Sequence, residues 1–312
     1  MEIAQTIDDA DFMNTRQWFI ALTVLGHAQF STAQTYPTSV DQVGITASAC
    51  PNFPGQTLES LTITTPGQLL ENVRVNGRIN IEAPNVTLRC VTANAGLYAL
   101  RCFANEGCTD LLVENSEFSG AASAAMYFVG QTNAMIRHSS FGQSTDGLKV
   151  NASGNTFDYN FLTCLNTTRA DAHMDGLQSR TGNDNVYINN SWQSVSCPQS
   201  ANQGGGSGAF FIEDGAFTRT YIAGNYFSGA GYSVRLRAEN SDHYTFINNV
   251  VERDSYQFGP LVYGASSGLC AHWSGNTYHD GEPWLNGSAE DPACALPAQL
   301  AAAAILFSDG FE

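Results

Sequence analysis

A short unit of strands and turns repeats along the middle of this chain, and the repeat restricts the fold more than any other feature. Each unit contains an apolar strand, a polar or glycine turn, a second strand with period-two spacing, and a closing motif such as Asn-x-Phe. Its closing apolar or aromatic residues recur mostly every ~20 to 30 residues, at Phe118, Phe141, Leu162, Trp192, Phe227, Val251 and Tyr278. The pattern predicts an all-β protein, a single-stranded right-handed parallel β-helix, with a β-sandwich as the main alternative.

The sequence divides into four segments. Residues 1–33 form a signal peptide region, with Arg16 before an apolar run from Trp18 to Gly26, and Met13 is an alternative start. The alternative for this stretch is a short buried helix. Residues 34–70 are expected to form an N-terminal cap, residues 71–281 the parallel β-helix, and residues 282–312 a C-terminal linker or cap and a tail.

Composition restricts the partners. The net charge of −16 argues against nucleic acid, because phosphate binding needs a basic face. It leaves room for an anionic sugar polymer, since a few basic residues can dominate one groove. Beyond the leader, no apolar run approaches the ~18 residues needed to span a membrane. We expect a monomer that binds an extracellular polysaccharide.

All eight cysteines lie after the leader, and an even count there predicts disulfides in an exported protein. A zinc site is the weaker interpretation, because no CxxC or HxxxH spacing occurs. The predicted pairs are Cys102–Cys108, Cys164–Cys197 and Cys270–Cys294.

Aligning the strand after each turn predicts which side chains face outward. The inward column would hold Leu97, Met126, Leu148, Leu177, Phe210, Val234 and Val262. Alternation then places two columns on the outer face. The first contains Tyr98, Tyr127, Lys149, Gln178, Phe211, Arg235 and Tyr263, and the second contains Leu100, Val129, Asn151, Arg180, Glu213, Arg237 and Ala265.

These outer columns combine aromatic residues with several of the few basic ones, including the only lysine of the chain, Lys149. Aromatic faces suit the apolar faces of sugar rings, and arginine forks suit carboxylates. The sequence therefore predicts a substrate-binding face with Tyr98, Tyr127, Gln178, Phe211, Arg237 and Tyr263. The alternative is an ordinary solvated face with scattered charge.

Taken together, the coil pattern and the basic outer column resemble the pectate-lyase superfold, a group that includes β-helical lyases of pectate, alginate and chondroitin. The resemblance covers about residues 70–281. Asp146-Gly147 with Lys149, followed by Asp175-Gly176, is similar to a motif of calcium-dependent members. Met174 and Gln178 replace two carboxylates of that motif. The resemblance thus implies a possible Ca²⁺ site at Asp146 and Asp175, completed by Asp171 or Glu213.

If the resemblance extends to activity, it implies β-elimination at a uronic acid. Lys149 is then the first candidate for the base and Arg235 the second. Arg180 and Arg237 would bind the substrate carboxylate, and His173 would protonate the leaving oxygen. For Lys149, a solvated strand lysine remains the alternative.

Two other functions stay open. Asp146 with Asp175 or Asp171 could serve as the acid and base of a glycoside hydrolase. An Asp before Gly also commonly accepts hydrogen bonds from turn amides, which is a purely structural role. A non-catalytic carbohydrate-binding or surface β-helix is the remaining class.

The C-terminal residues 307–312, Phe-Ser-Asp-Gly-Phe-Glu, resemble a short segment at the end of many exported proteins of Gram-negative bacteria. We therefore expect a secreted or periplasmic protein from such a bacterium.

Overall fold

A computed structural model describes residues 36–204, 206–213, 215–237, 242–263 and 271–284. The proposed leader, the predicted Cys270–Cys294 pair and the C-terminal tail lie outside these ranges. The described part is built from β-strands, with two short 3-10 helices at Val40–Gln42 and Ala104–Glu106. Within it, no helix is long and apolar enough to cross a membrane.

The strands are short and follow one another closely. The first twelve are β1 (Gln56–Ile63), β2 (Leu69–Ile81), β3 (Thr87–Ala93), β4 (Tyr98–Phe103), β5 (Leu112–Glu114), β6 (Glu117–Ser119), β7 (Ala124–Gln131), β8 (Met135–Arg137), β9 (Ser140–Gly142), β10 (Asp146–Ser153), β11 (Thr156–Asp158) and β12 (Phe161–Leu162). The others are β13 (Asp175–Ser179), β14 (Gly182–Asn183), β15 (Val186–Ile188), β16 (Ser191–Ser194), β17 (Gly208–Glu213), β18 (Phe217–Ala223), β19 (Tyr226–Gly229), β20 (Tyr232–Arg237), β21 (Asp242–Ile247), β22 (Val250–Val251), β23 (Gly259–Tyr263), β24 (Ala271–Ser274) and β25 (Thr277–Tyr278).

Pairing between these strands is parallel and runs in three ladders. The first ladder joins β4, β7, β10, β13, β17, β20 and β23. The second joins β3, β5, β8, β11, β15, β18, β21 and β24. The third joins β6, β9, β12, β16, β19, β22 and β25. The chain visits the ladders in turn, so the predicted all-β, parallel architecture is confirmed and the antiparallel sandwich is not supported.

Parallel strand pairing begins earlier in the chain than the sequence predicted. Strand β1 already pairs in parallel with β2, although residues 34–70 were predicted to be a cap. Polar residues on β1 hide the alternation there, since most of its side chains are exposed or half-buried.

The column of closing residues is confirmed by the register. Phe118 pairs with Phe141, which in turn pairs with Leu162. Further along, Trp192 pairs with Phe227, Phe227 with Val251, and Val251 with Tyr278. One apolar side chain per repeat therefore lies at the same point of the third ladder.

Buried asparagines join the repeats at the turn before the third ladder. Asn160, Asn190, Asn225, Asn249 and Asn276 are each at most 5% exposed. The backbone N–H and side-chain amide of each donate to Oδ1 of the next at 2.9–3.1 Å, from Asn160 through Asn276. Because a buried amide must be hydrogen-bonded, this ladder holds the turns in register.

Inside the ladders, aromatic rings stack along the molecule. Phe157 and Tyr187 are parallel with ring centroids 5.1 Å apart, and Phe246 stacks on Trp273 at 4.4 Å. Phe227 lies 5.7 Å from Phe246. Burial of these large rings supplies much of the apolar area that stabilises the repeats.

The first predicted strand alignment was wrong by three residues. Leu100, rather than Leu97, pairs with Met126, and Arg101 pairs with Tyr127. A slip by an odd number exchanges the two faces of a strand. Leu97 is consequently 53% exposed although it was predicted to face inward, and Leu100 is fully buried although it was predicted to face outward.

The alignment of the last strand was also wrong, by one residue. Leu261 pairs with Val234, so Tyr263 pairs with Leu236, a residue of the inward column. The backbone register thus removes Tyr263 from the predicted outer column. Between these ends, the predicted columns from Met126 to Val234 are confirmed.

Three disulfides are present in the described residues: Cys50–Cys90, Cys102–Cys108 and Cys164–Cys197. Two of them confirm the predicted pairs. The first was not predicted, and it ties the segment before β1 to strand β3.

Candidate functional site

A cleft of about 560 Å³ lies on the outer face of the first ladder. Its floor comes from β7, β10 and β13, and one wall comes from the loop between β12 and β13. Eight residues predicted for the site line it: Tyr98, Tyr127, Asp146, Lys149, Asp171, His173, Gln178 and Arg180. The cleft therefore brings these predicted residues together, because its strands have the predicted register.

Lys149 is fixed at the bottom of the cleft. Its Nζ lies 3.1 Å from Oδ2 of Asp146 and donates a hydrogen bond of 3.0 Å to Oγ of Ser123. The lysine side chain is 24% exposed and that of Asp146 is 4% exposed. Burial raises the pKa of the Asp146 carboxyl, and the neighbouring Lys149 ammonium opposes that shift.

The two Asp-Gly copies share a structural role. Oδ1 of Asp146 accepts the backbone N–H of Asp175 at 2.9 Å, and Oδ1 of Asp175 accepts that of Gly208 at 2.9 Å. The glycines after them allow close stacking, since a Cβ on Gly147 would collide with the carbonyl oxygen of Gly176. The amide-binding interpretation of these aspartates is therefore confirmed.

Asp175 differs from Asp146 in having no lysine beside it. Gln178 takes the register position of Lys149 and donates to Oδ2 of Asp175 at 3.2 Å. Burial, followed by the charge of Asp146, raises the pKa of Asp175 to about 8. The Asp175 side chain is 1% exposed and does not line the cleft.

The loop that forms the wall of the cleft is stacked on a second loop of the next repeat. Residues 163–174 connect β12 with β13, and residues 195–207 connect β16 with β17 in the next repeat. The Cys164–Cys197 disulfide joins them, and the Ala201 N–H donates to the carbonyl oxygen of Thr167 at 2.8 Å. The wall is thus held by covalent and backbone contacts from the neighbouring repeat.

This wall carries His173 into the cleft. Nδ1 of His173 lies 2.8 Å from Oγ of Ser207 on the second loop, and the imidazole is otherwise exposed. Arg169, on the same loop, forms an exposed ion pair with Asp171 at 3.2 Å. Both residues line the cleft, so its described lining holds three basic and two acidic residues besides the histidine.

The opposite end of the cleft is aromatic. The rings of Tyr98 and Tyr127 lie 4.8 Å apart, and the Tyr127 hydroxyl accepts a hydrogen bond of 3.3 Å from the Asn151 amide. Oδ1 of Asn151 accepts the backbone N–H of Arg180 at 3.0 Å. Tyr98 reaches the cleft from a different register position than predicted, since it pairs with Ala124.

Several predicted residues lie outside this cleft. Phe211 on β17 and Arg235 on β20 belong to the same outer column as Lys149, but neither side chain lines the cleft. Arg235 forms an ion pair with Glu213 at 2.8 Å. Arg237 pairs in register with Glu213, and its side chain lies outside the described part.

The proposed metal ligands are not gathered in one place. Asp146 pairs with Lys149, Asp171 with Arg169, and Glu213 with Arg235. Across the described ranges, no three His, Cys, Asp or Glu side chains group as a metal site would require. Since Ca²⁺ takes six to eight oxygen ligands, these carboxylates do not fit a calcium site, and we assign no step to calcium.

Sequence reasoning missed Ser123 and Arg169, and it did not assign Asn151 to the site. Asn151 was visible in the second outer column. Ser123 and Arg169 lie in turns and loops, where the strand pattern carries no information about direction.

No model of a known protein family matches the chain, and no curated protein matches it significantly either. The function is therefore argued from the cleft itself.

Proposed function

We propose that this protein is a right-handed parallel β-helix that is secreted and acts as a polysaccharide lyase on an acidic, uronate-containing polymer. The observation that carries the proposal is the cleft, in which Lys149, Arg169 and Arg180 converge in a chain of net charge −16. A local excess of basic side chains attracts anions in spite of the overall charge. Tyr98 and Tyr127 add surfaces for sugar rings.

Elimination requires a base for the proton on C5, charge neutralisation at the uronate carboxylate and a proton for the leaving oxygen. The C5–H electrons form the C4–C5 double bond while the bond from C4 to the glycosidic oxygen breaks. Neutralising the carboxylate is the first requirement, because it stabilises the negative charge that develops beside C5.

Lys149 suits that neutralising role better than the role of base. Its Nζ lies 3.1 Å from the Asp146 carboxyl and donates to Oγ of Ser123 at 3.0 Å, an arrangement in which the lysine acts as a hydrogen-bond donor and not as an acceptor. We therefore assign the substrate carboxylate to Lys149 and Arg180. Lys149 thus binds the substrate carboxylate in this proposal, whereas the sequence suggested it as the base.

His173 is then the base. Its Nδ1 contacts Ser207, which leaves Nε2 as the nitrogen for the reaction, and a neutral imidazole is an effective base near pH 7. The phenol of Tyr127 lies in the same cleft and supplies a proton for the leaving oxygen. The proton taken from C5 returns to solvent from the histidine.

The hydrolase alternative is less well supported. An acid and a base must both reach the glycosidic bond, whereas Asp175 is 1% exposed and does not line the cleft. The other two carboxylates do line the cleft, but Asp146 is paired with Lys149 and Asp171 with Arg169. The binding-protein alternative keeps the same cleft without chemistry.

The test is a screen of pectate, alginate, glucuronan and glycosaminoglycans, with and without chelator, read by ultraviolet absorbance and by reducing ends. A lyase produces unsaturated uronates that absorb. Reducing ends without absorbance would indicate a hydrolase, and binding without either signal would indicate a carbohydrate-binding protein.

A further inference from the structure

Phe258 is the most exposed large apolar side chain in the described part of the chain, at 67%. Its backbone is held in place, since its N–H donates to the carbonyl oxygen of Gly231 at 2.8 Å, and that of Gln257 donates to Ala230 at 3.0 Å. The Phe258 ring lies 5.6 Å from the ring of Tyr232. A fixed, exposed aromatic pair is a frequent mark of a binding surface.

A cationic side chain completes this surface. The Arg235 guanidinium lies 4.7 Å from the ring centre of Phe211 and 5.7 Å from that of Tyr232. It also forms an ion pair with Glu213 at 2.8 Å. We call Phe211, Tyr232, Arg235 and Phe258 the aromatic shelf. Because three of these four side chains are aromatic, the shelf suits the apolar face of a sugar ring more than a carboxylate.

Glycines leave room for the rings of the shelf. A Cβ on Gly231 would lie 3.3 Å from the Phe258 ring, and one on Gly259 would lie 3.6 Å from the Tyr232 ring. The two rings thus pack over bare backbone. A side chain at Gly231 would press on the Phe258 ring, whereas one at Gly259 would make an ordinary contact with the Tyr232 ring.

The shelf is continuous with the cleft. Gln178, which lines the cleft, pairs in register with Phe211, and Phe211 pairs with Arg235. Neighbouring strands are ~4.8 Å apart. Phe211, one strand beyond the cleft, is only 9% exposed, so the accessible rings of the shelf begin two strands beyond the cleft with Tyr232. A polymer chain that lies along the first ladder would leave the cleft over these rings.

We propose that the aromatic shelf is a second sugar-binding subsite, which stacks on an uncharged ring face of the same polysaccharide that occupies the cleft. The inference rests on the proposed function, because the cleft must bind an acidic polymer. The shelf makes no contact with the reacting carbons. It extends the binding site and sets a preference for longer chains.

The experiment compares Phe258→Ala with wild type on short and long size fractions of alginate and polygalacturonate oligomers, with dissociation constants measured by calorimetry. We expect about tenfold weaker binding of the long fraction, which corresponds to about 1.4 kcal/mol for the lost stacking contact. Binding of the short fraction should not change. Phe258→Trp should retain the long-chain preference.

Leu69→Ala is the matched control. Leu69 is 51% exposed at the start of β2, where it pairs with Thr87 on the second ladder. Leu69→Ala should change the dissociation constant of neither oligomer fraction. Equal binding of long oligomers by the wild type and Phe258→Ala would overturn the subsite, and so would equal weakening of both fractions.

Two further outcomes separate the inference from the proposed function. If the wild type forms unsaturated product but Phe258→Ala binds long oligomers normally, only the subsite fails. If the wild type binds neither these oligomers nor any polymer of the screen described above, both proposals fail. Self-association of the wild type in sedimentation, abolished by Phe258→Ala, would identify the shelf as a contact between copies and overturn the sugar subsite.

Discussion

The backbone N–H of Asp175 donates a hydrogen bond of 2.9 Å to Oδ1 of Asp146, the carboxyl whose other oxygen lies 3.1 Å from Nζ of Lys149. One buried side chain therefore links two adjacent repeats and positions the only lysine of the chain. Asp146 therefore contributes to the fold and also holds a residue of the proposed reaction. Its neighbour Asp175 has the same structural role, but Gln178 takes the register position of the lysine there.

Asp175 should make stability depend on pH. Its pKa is raised to about 8 by burial and by the Asp146 charge, against ~3.9 in an unfolded chain. Between these values the folded chain binds more protons, so this group's contribution to the free energy of unfolding falls as pH rises and is constant above about 8. Asp175→Asn cannot ionise and retains an acceptor for Gly208.

The measurement for Asp175 is urea unfolding from about pH 5 to about pH 9. The stability of Asp175→Asn relative to wild type should rise by about 1 kcal/mol or more across that range. Asp171→Asn is the control, because Asp171 is exposed and its ion pair with Arg169 contributes little. A stability difference that is independent of pH would contradict the account of Asp175.

Lys149 and His173 should respond differently to substitution. Lys149→Arg keeps the positive charge and should retain measurable lyase activity, whereas Lys149→Ala should lose the unsaturated product while polymer binding stays detectable. His173→Ala should lower kcat by ~10²-fold or more, the usual effect of removing a general base. Added imidazole should restore part of that activity.

Initial rates by ultraviolet absorbance and binding by affinity electrophoresis test these roles. Arg253→Ala is a suitable control, since Arg253 forms an exposed ion pair with Asp280 outside the cleft lining. Full activity of Lys149→Ala would remove Lys149 from the mechanism. Loss of activity in Lys149→Arg with normal binding would return Lys149 to the role of base.

The asparagine ladder should be a major source of stability. Asn225 accepts bonds from Asn190 and Trp192 and donates to Asn249, all in the core. Asn225→Ala leaves several buried polar groups without hydrogen bonds, and each such group costs about 1–3 kcal/mol of stability. We expect a loss of about 3 kcal/mol or more in chemical denaturation. The exposed Asn94→Ala should change stability by less than ~0.5 kcal/mol, and equal effects of both would refute the ladder's role.

The Cys164–Cys197 disulfide should support the cleft wall more than the core. Replacing both cysteines by serine should weaken substrate binding several-fold, since the loop bearing His173 loses its link to the next repeat. Removal of Cys102–Cys108, whose loop lies on the N-terminal side of the cleft, is the comparison and should lower stability without this effect. Unchanged KM in the first double variant would contradict the assignment.

The middle of the fold could be predicted because its apolar alternation has only one satisfactory register. From Met126 to Val234, moving a strand by one residue would expose its apolar side chains. At the first strand, both Leu97 and Leu100 satisfied the local pattern. The buried Cys102, paired with Cys108, and the turn at Gly96 with its φ of 91° decide in favour of Leu100.

The site was predictable where it lies on strands. Tyr127, Lys149 and Gln178 follow from the outer column, because alternation and strand spacing fix their positions. Arg235 and Glu213, predicted in the same two columns, do not line the cleft, since a column extends over many repeats and a cleft covers only some of them. Which repeats form the cleft depends on the loops.

The sequence by itself determined the all-β class, the parallel repeat, two disulfides and the face on which the cleft lies, because each follows from local alternation and spacing. Only the tertiary structure decided the end registers, the burial of Asp175 and the separation of the proposed metal ligands. It also decided that two loops more than 20 residues apart stack to place His173 opposite Ser207, a contact with a sequence separation of 34. Contacts of that kind depend on how repeats pack on one another, and no local pattern encodes them.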